Sequence, residues 1–248
     1  EMLEGGGTDD VEAQLRGRKA GDEYNAYAME VIQDRRSRPM TDDLVSILCH
    51  SEVDGEKLND HELIMESLLI LVGGDETTRH VITQGMEALI RNPGERQKLI
   101  DDPSKIETAV EELLRWVSPI KNMNRTATQD TELRGQKIRE GDRMLLLYAG
   151  ANRDAAAFDA PEVFDVEREP NNHVAFGGYG AHFCLGASLA RLELRIMFEE
   201  LLRRIPDMAL KSPEDRLPLR ASNFIVGIEE MPVTFKPKAR ETGQRKAS

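Results

Sequence analysis

The spacing of hydrophobic residues along the chain predicts a mainly helical fold with a small β-rich part. Apolar side chains recur every three to four positions in four long stretches, at residues 22–38, 60–92, 105–116 and 185–205. Pro39, Pro93 and Pro119 follow the first three stretches, and proline ends a helix because it lacks a backbone N–H. In the last stretch the same spacing predicts that five side chains face the core: Leu189, Leu192, Ile196, Leu201 and Leu202.

Two other regions have the pattern of short strands and turns. Residues 124–150 contain a predicted hairpin at 133–138 and an apolar run at 143–148 that indicates a buried strand. Residues 206–235 have the same short-strand pattern, and a proline-containing loop at 152–175 lies between the two regions. These regions would form the β-rich part of the domain.

The folded domain is predicted to occupy residues 21–235. Residues 1–20 are charged and rich in glycine, which indicates a flexible lead-in. Residues 236–248 are basic and lack large apolar side chains, which indicates a disordered tail.

The stretch at residues 60–92 is apolar on most sides and should run through the core, but two glycines interrupt it. Gly73 and Gly74 each cost about 1 kcal/mol relative to alanine inside a helix, and a polar Asp-Glu-Thr-Thr run follows them. We expect the helix to bulge here, and we interpret the violation as a functional site. The alternative, a close contact between helices and nothing more, does not account for Glu76 and Thr77.

Composition and charge mainly exclude functions. The net charge of −12 argues against a nucleic-acid partner, because phosphate binding requires a basic surface. No apolar run reaches the roughly 20 residues of a transmembrane helix, and the start has no signal-like segment. We therefore expect a cytoplasmic protein without a transmembrane segment. Of the two cysteines, Cys49 is interpreted as a small buried hydrophobe, since only His50 nearby could share a metal.

Cys184 lies in the segment with the most specific chemistry, Phe176–Gly186, which reads FGGYGAHFCLG. Its three central glycines favour a tightly bent loop whose backbone can approach a flat ligand. We expect Cys184 in the first turn of the helix that follows, where backbone N–H groups and the helix dipole stabilise a thiolate. Such a thiolate is a strong axial ligand for haem iron, and His182 could donate to a haem propionate. A phosphate-binding loop is the alternative, but Phe183-Cys184 replaces the Lys-Ser/Thr pair that it needs.

This segment resembles the cysteine-ligand loop of the cytochrome P450 family, and further motifs agree with it in the family's order. Residues 73–77 resemble the groove-and-relay motif of the family's long central helix. Glu112 and Arg115 resemble its Glu-x-x-Arg motif, and Arg168 resembles the arginine that completes the ion network. As a solvent-facing pair, Glu112 and Arg115 would contribute only about 0.2–0.5 kcal/mol, so the sequence alone leaves their role open. The resemblance, which covers roughly residues 10–235, implies a buried structural network.

The resemblance implies the fold, the activity and the cofactors. The fold is that of a cytochrome P450 with its N-terminal portion missing, so the chain is expected to be a C-terminal fragment. The activity is that of a haem-thiolate monooxygenase that uses haem b, O2 and electrons from NAD(P)H through a ferredoxin and a ferredoxin reductase. Arg191 and Arg195, on the helix after Cys184, are candidates for docking the acidic ferredoxin.

The resemblance also implies roles for individual residues. Thr77 would donate a hydrogen bond towards O2, and Glu76 would bring protons from solvent. Cys184 is the implied metal ligand, and the implied cofactor-binding residues are Arg125, Phe176, His182, Cys184 and Gly186.

Within the family, the resemblance is closest to steroid side-chain hydroxylases of the cholest-4-en-3-one 26-monooxygenase type. It is carried by the segments 69–80, 119–125 and 223–233. It implies terminal hydroxylation of a cholesterol or cholestenone side chain in an apolar channel lined by Val72, Gly73, Ile120, Met123, Phe224 and Val226. Two alternatives stay open: a hydroxylase of branched fatty acids or terpenoids, and a truncated, haem-free helical fragment without activity.

Overall fold

A computed structural model describes residues 11–220 and 222–236. The helices are α1 (Val11–Arg36), α2 (Leu44–His50), α3 (Asp60–Arg91), α4 (Pro93–Asp101), α5 (Ile106–Val117), α6 (Tyr148–Ala151) and α7 (Ala187–Arg204). The strands are β1 (Glu52–Val53), β2 (Glu56–Lys57), β3 (Asn122–Thr126), β4 (Thr131–Leu133), β5 (Gln136–Ile138), β6 (Arg143–Leu147), β7 (Ala209–Leu210) and β8 (Val233–Thr234). The chain divides into two compact units, residues 1–75 and 76–248. None of the helices described is long and apolar enough to cross a membrane.

In the first unit, α1 is longer than the sequence predicts. The helix already begins at Val11, so the predicted flexible lead-in is wrong for residues 11–20. Its first turns carry charged pairs at helical spacing, with Arg16 Nη1 3.9 Å from Glu12 and Lys19 Nζ 3.7 Å from Glu23. Residues 1–10 lie outside the described part, as do residues 237–248 of the predicted tail.

The core of the first unit is a small cluster of Ile32, Cys49 and Leu63. Cys49 is 7% exposed, in agreement with its interpretation as a buried hydrophobe. Before α3, Asn59 and Glu62 cap the helix reciprocally. The Asn59 N–H donates to Glu62 Oε2 at 2.8 Å, and the Glu62 N–H donates to Asn59 Oδ1 at 3.1 Å.

Helix α3 confirms the long central helix but not its predicted details. It is α-helical throughout, including Gly73 and Gly74, so the expected bulge is wrong. A Cβ atom at either glycine would meet nothing within 4 Å, so the pair leaves open space beside an intact helix. Leu69 and Leu71 are 64% and 50% exposed, so the expectation of burial on most sides is also wrong here.

The second unit is built on the packing of α5 against α7. Helix α5 buries its apolar face as its periodicity predicts, with Val110, Leu113 and Leu114 each 3% exposed or less. Helix α4 is missing from the sequence prediction, because a proline after an apolar stretch also marks the end of a helix. Proline is equally suited to the first position of a helix, and here it opens one.

Helix α7 faces the core with a stripe that agrees with the predicted one at Leu202, and in part at Leu201, but not at the other three positions. Leu194, Phe198 and Leu202 are buried, whereas Leu189 is 59% exposed. Leu192 and Ile196 are exposed as well, at 44% and 48%, while Leu201 packs partly buried against the core. The helix carries two apolar stripes, and periodicity alone cannot tell which one meets α5.

The β-rich part consists of two-stranded antiparallel sheets. The predicted hairpin is confirmed as β4 and β5, joined by Arg134 and Gly135 with φ of 48° and 81°. β3 pairs with β6, with Met123 opposite Leu146. The prediction that β6 is buried is wrong, since Leu145 is 54% exposed: a strand is buried on both faces only between two covering layers.

Candidate functional site

The segment Phe176–Cys184 closes into a loop, hereafter the cysteine loop. The Cys184 N–H donates to the Phe176 carbonyl at 3.0 Å, which brings the two ends together. Gly177, Gly178 and Gly180 have backbone φ angles of 93°, 80° and 94°. Residues that carry a Cβ atom rarely adopt these angles. The glycines that sequence analysis singled out are therefore required by the turn itself.

Cys184 lies in the turn that leads into α7. The helix begins at Ala187, three residues later, so the prediction that Cys184 occupies its first turn is wrong. The Ala187 N–H donates to the Cys184 carbonyl at 3.3 Å, which continues the chain directly into the helix. Gly186 is the residue immediately before the helix, and a Cβ atom there would meet nothing within 4 Å.

The thiol of Cys184 is exposed and has apolar neighbours. Phe183 is 46% exposed and Leu185 is 95% exposed. Within the described residues, no group of three or more His, Cys, Asp and Glu side chains could hold a bare metal ion. A lone thiolate is nevertheless enough for haem, because the porphyrin supplies the other ligands of the iron. The donor, the open space and the apolar side chains thus fit a haem.

Glu112, Arg115 and Arg168 meet in a buried ion network. Arg115 donates from Nε and Nη2 to the two oxygens of Glu112, both at 2.7 Å, and neither side chain is exposed. Arg168 Nε donates to Glu112 Oε2 at 3.1 Å. The structure therefore decides between the two interpretations that the sequence left open: the pair does not face solvent.

Further polar groups, which no sequence motif indicates, complete this network. Asn171 Nδ2 donates to Glu112 Oε2 at 3.2 Å, and the Asp165 N–H donates to Oε1 at 3.0 Å. Arg115 Nη1 donates to the carbonyl of Asn152 at 2.8 Å, and the Oδ1 of Asn152 accepts from the Val174 N–H at 2.8 Å. The network thus extends to the chain that leads into the cysteine loop.

The two residues predicted to bind haem propionates are exposed. Arg125 lies on β3, and its Nη1 donates to the Asn124 carbonyl at 2.8 Å. His182 lies in the cysteine loop, two residues before Cys184. Both side chains are accessible to a ligand, and their role stays a prediction.

Glu76 lies on α3 in the second unit and forms an ion pair with Arg220. Arg79 Nη2 also donates to Glu76 Oε1, at 3.2 Å, and the side chain of Glu76 is only 13% exposed. Its Oε2 is buried without a hydrogen-bond partner in the described chain. Thr77 follows it, half-buried. Arg220 was missed because no local pattern connects it with α3.

Backbone contacts place Arg220. Its N–H donates to the Gly227 carbonyl at 2.9 Å, and Leu219 forms an antiparallel bridge with Ile228. A Cβ atom at Gly227 would lie 1.8 Å from Nδ1 of the buried His80, so only glycine fits against this ring. The turn at residues 222–228 therefore packs closely on α3.

Backbone pairing joins the two segments that carry three of the six predicted substrate-contact residues. Ile120 forms a bridge with Ile225, which sets Phe224 and Val226 on either side of the pairing. The Lys121 N–H donates to the Phe224 carbonyl at 2.9 Å, and the Val226 N–H donates to the Pro119 carbonyl at 3.0 Å. Met123 continues the same chain on β3, whereas Val72 and Gly73 lie on the part of α3 that belongs to the first unit.

Comparison with known proteins agrees with these features. The sequence profile described as Cytochrome P450 matches residues 11–107 and 105–219. The chain is 54% identical over 214 residues to a steroid C26-monooxygenase of Mycobacterium tuberculosis, covering 86% of this chain and 57% of that protein. It is 48% identical over 214 residues to a methyl-branched lipid omega-hydroxylase of Mycobacterium bovis, covering 86% and 49%.

Solved structures show the same similarity. Substrate-free CYP109E1 from Bacillus megaterium superposes with a TM-score of 0.85 at 34% identity, covering 96% of this chain and 62% of that chain. The same protein in complex with testosterone gives a TM-score of 0.81 at 36% identity, covering 90% and 61%. The chain spans about half the length of the curated relatives that it matches.

Proposed function

The chain belongs to the cytochrome P450 family, and from that premise we propose that it carries the cysteine-ligand part of a haem-thiolate monooxygenase. The observation that supports this most directly is the closed cysteine loop, which presents an exposed thiol beside apolar side chains. Haem b, once bound to Cys184, would supply O2 activation and the insertion of one oxygen atom into a C–H bond. The work of the protein is to hold that group, the substrate and the protons in place.

The ion network holds the chain that leads into the cysteine loop. Arg168 donates to the carbonyls of Asp159 and Val163 at 2.6 and 2.8 Å, and Arg115 binds the carbonyl of Asn152. The guanidinium groups thus satisfy backbone carbonyls that no sheet or helix pairs. We propose that this fixed segment determines where the cysteine loop begins.

Glu76 and Thr77 are proposed to transfer protons. Glu76 has one oxygen in an ion pair with Arg220, and its other oxygen is buried without a partner in the described chain, so that oxygen can accept a hydrogen bond from a water on a proton path. Thr77 follows it on α3 with a hydroxyl that can donate a hydrogen bond. The pair would hold a proton path that runs past the Glu76 carboxylate to the Thr77 hydroxyl.

For the substrate, we propose the branched side chain of a steroid such as cholestenone, hydroxylated at its terminal carbon. The relative at 54% identity is a steroid C26-monooxygenase. A methyl-branched lipid is the second candidate, because the relative at 48% identity acts on such lipids by its name. Both substrates end in a branched aliphatic group, which suits the apolar side chains of Ile120, Phe224 and Val226.

Electrons are proposed to come from NAD(P)H through a ferredoxin reductase and a ferredoxin. Of the two arginines suggested for docking, Arg191 already donates to both oxygens of Glu111. Arg195 has a longer contact of 3.3 Å with Glu107, whose side chain is 76% exposed. Arg195 is therefore the better candidate for an acidic partner. The cytoplasmic location stays a prediction.

The absorption spectrum of the purified, haem-reconstituted chain tests the proposal. The reduced carbon monoxide complex should give the band typical of a thiolate ligand, and Cys184→Ser should abolish it. Cys49→Ser is the matched control and should keep the band, since Cys49 is buried in the other unit. A chain that binds no haem would support the haem-free fragment instead, and an intact band in Cys184→Ser would exclude Cys184 as the ligand.

The substrate is tested by the shift of the haem absorption band on binding. Cholestenone and a methyl-branched fatty acid are titrated separately against the reconstituted chain. Tighter binding of cholestenone supports the steroid proposal, and tighter binding of the fatty acid supports the second candidate.

A further inference from the structure

Arg191 of α7 stacks on the side chain of Phe176. Its Cζ lies 4.6 Å from the centroid of the Phe176 ring, within the range of a cation–π contact. Phe176 is also the residue whose carbonyl accepts the backbone hydrogen bond of Cys184. Both ends of the cysteine loop therefore meet at the residue that Arg191 covers.

Helix α5 fixes Arg191 in this position. Arg191 donates from Nε and Nη2 to the two oxygens of Glu111, at 2.7 and 2.9 Å. A bidentate ion pair of this kind fixes the plane of the guanidinium as well as its position. His173 Nε2 contacts Glu111 Oε2 at 3.0 Å, and the His173 ring lies 6.0 Å from the Phe176 ring. One carboxylate thus connects α5, α7 and the chain before the cysteine loop.

The charge of Glu111 persists over the physiological pH range. Burial raises the pKa of this carboxyl, but the hydrogen bonds and charges of Arg191 and His173 outweigh burial and lower the pKa to about 2. The contact between Glu111 and Arg191 therefore does not depend on pH near neutrality.

Arg195, one turn further along α7, provides an internal comparison. It pairs with Glu107 at 3.3 Å, and Glu107 lies one turn before Glu111 on α5. The two ion pairs join the same two helices, but the Arg195 and Glu107 side chains are 42% and 76% exposed. Only the pair of Arg191 and Glu111 lies against the ring of Phe176.

We propose that Arg191, held by Glu111 and His173, is a positioning residue that fixes Phe176 and thereby the backbone at Cys184. The benefit to a haem ligand rests on the proposed function, but the fixing of the loop does not. This role differs from ferredoxin docking, because it uses the contacts that the half-buried guanidinium makes with Glu111 and the Phe176 ring rather than a charge offered to a partner.

Amide hydrogen exchange tests the proposal without haem. The chain has two cysteines, so labelling with 15N-cysteine gives two amide signals, and Cys184→Ser identifies which belongs to the loop. Arg191→Gln removes the stacked cation, and the Cys184 amide should exchange about fivefold faster, while Cys49 in the other unit is unchanged. Arg195→Gln is the matched control and should leave both rates unchanged.

Arg191→Lys decides the question if Arg191→Gln does not fold. Lysine keeps a positive charge beside Glu111 but loses the planar group over Phe176, so the Cys184 amide should again exchange faster. A wild-type exchange rate in these Arg191 variants, or an equal acceleration in Arg195→Gln, would overturn the proposal.

A second readout uses the reconstituted chain. Arg191→Gln and Arg191→Lys should lose part of the thiolate band of the reduced carbon monoxide complex, and Arg195→Gln should keep it. If the unaltered chain binds no haem, the proposed function fails, while the exchange rates still decide the positioning role of Arg191.

Discussion

Glu76 accepts a hydrogen bond from Arg220, although 144 residues separate the two along the chain. Burial raises the pKa of the Glu76 carboxyl, but the hydrogen bond and charge of Arg220, with the charges of His80 and Arg79, lower it below its usual range. Glu76 is therefore ionised at neutral pH, and Arg220 is the group that contributes most to keeping it so.

Arg220→Gln should raise the pKa of Glu76 and reduce stability in a pH-dependent way. A lowered folded-state pKa stabilises the chain above the unfolded-state pKa of glutamate, and this contribution is lost as the pH falls through the folded-state pKa. The stability difference between Arg220→Gln and the unaltered chain should thus be largest at neutral pH and shrink in acid. Urea unfolding at several pH values measures it. Arg220→Lys, which keeps the charge, should retain most of the dependence, and a difference that stays constant with pH would refute this account.

Glu112→Gln should destabilise the second unit strongly. It removes the carboxylate that the buried Arg115 and Arg168 share, and an uncompensated buried charge costs about 3–5 kcal/mol. Chemical unfolding followed by the fluorescence of the single tryptophan, Trp116, measures the loss, since Trp116 is next to Arg115 on α5. Glu200→Gln, which removes a partly exposed carboxylate of α7 paired with Arg203, should cost much less than Glu112→Gln. Equal losses in the two variants would mean that burial does not matter here.

The sequence predicted helices well where a single apolar stripe meets the core, as in α5. It failed where the pattern is ambiguous or absent. Helix α7 has two apolar stripes, so Leu189 and Leu194 are equivalent in the sequence and opposite in the structure. The first turns of α1 have charged pairs in place of apolar periodicity. Pro93 is compatible both with the end of one helix and with the start of the next.

The candidate site shows the same limit. The cysteine loop was recognisable because its glycines and Cys184 are contiguous. The partners of Glu112 and Glu76 were only partly recognisable, because Asn171 and Arg220 approach them from distant parts of the chain. Arg191 was noticed for its charge, whereas its contact with Phe176 depends on how α7 packs on α5. Burial and distant pairing are properties of the fold and leave no local pattern.

Gly227→Ala should destabilise the turn at residues 222–228. The new Cβ would lie 1.8 Å from His80 Nδ1, so either the ring or the turn must move, and overpacking of this kind costs about 1–3 kcal/mol. Gly94→Ala is the control, because a Cβ atom there meets nothing within 4 Å, and helical alanine is favoured over glycine by up to about 1 kcal/mol. Thermal unfolding compares the two. The destabilisation caused by Gly227→Ala should be smaller when His80 is also replaced by alanine. An unchanged destabilisation would show that the contact with His80 is not its cause.

Lys121 gives the chain a stability that rises with pH in mildly alkaline solution. Burial, and to a smaller extent the charge of Arg153, lower the pKa of the Lys121 ammonium to about 8. The unfolded chain keeps this proton to a pH of about 10.4, so between these values the unfolded state binds more protons than the folded state. The free energy of unfolding should therefore gain from Lys121 as the pH rises from about 8 to 10.4, whereas below pH 8 the cost of the buried charge is constant.

Lys121→Met tests this by removing the titrating group while keeping a long side chain. The variant loses the hydrogen bond from Lys121 Nζ to the Val117 carbonyl at 2.8 Å, which shifts its stability equally at every pH. The slope of stability against pH between about 8 and 10.4 should be smaller than in the unaltered chain, because the folded and unfolded states no longer differ at this position. Lys211→Met, which removes an exposed lysine, should keep the slope of the unaltered chain. Urea unfolding across this range measures the slopes, and parallel curves for the unaltered chain and Lys121→Met would mean that Lys121 titrates as an ordinary surface lysine.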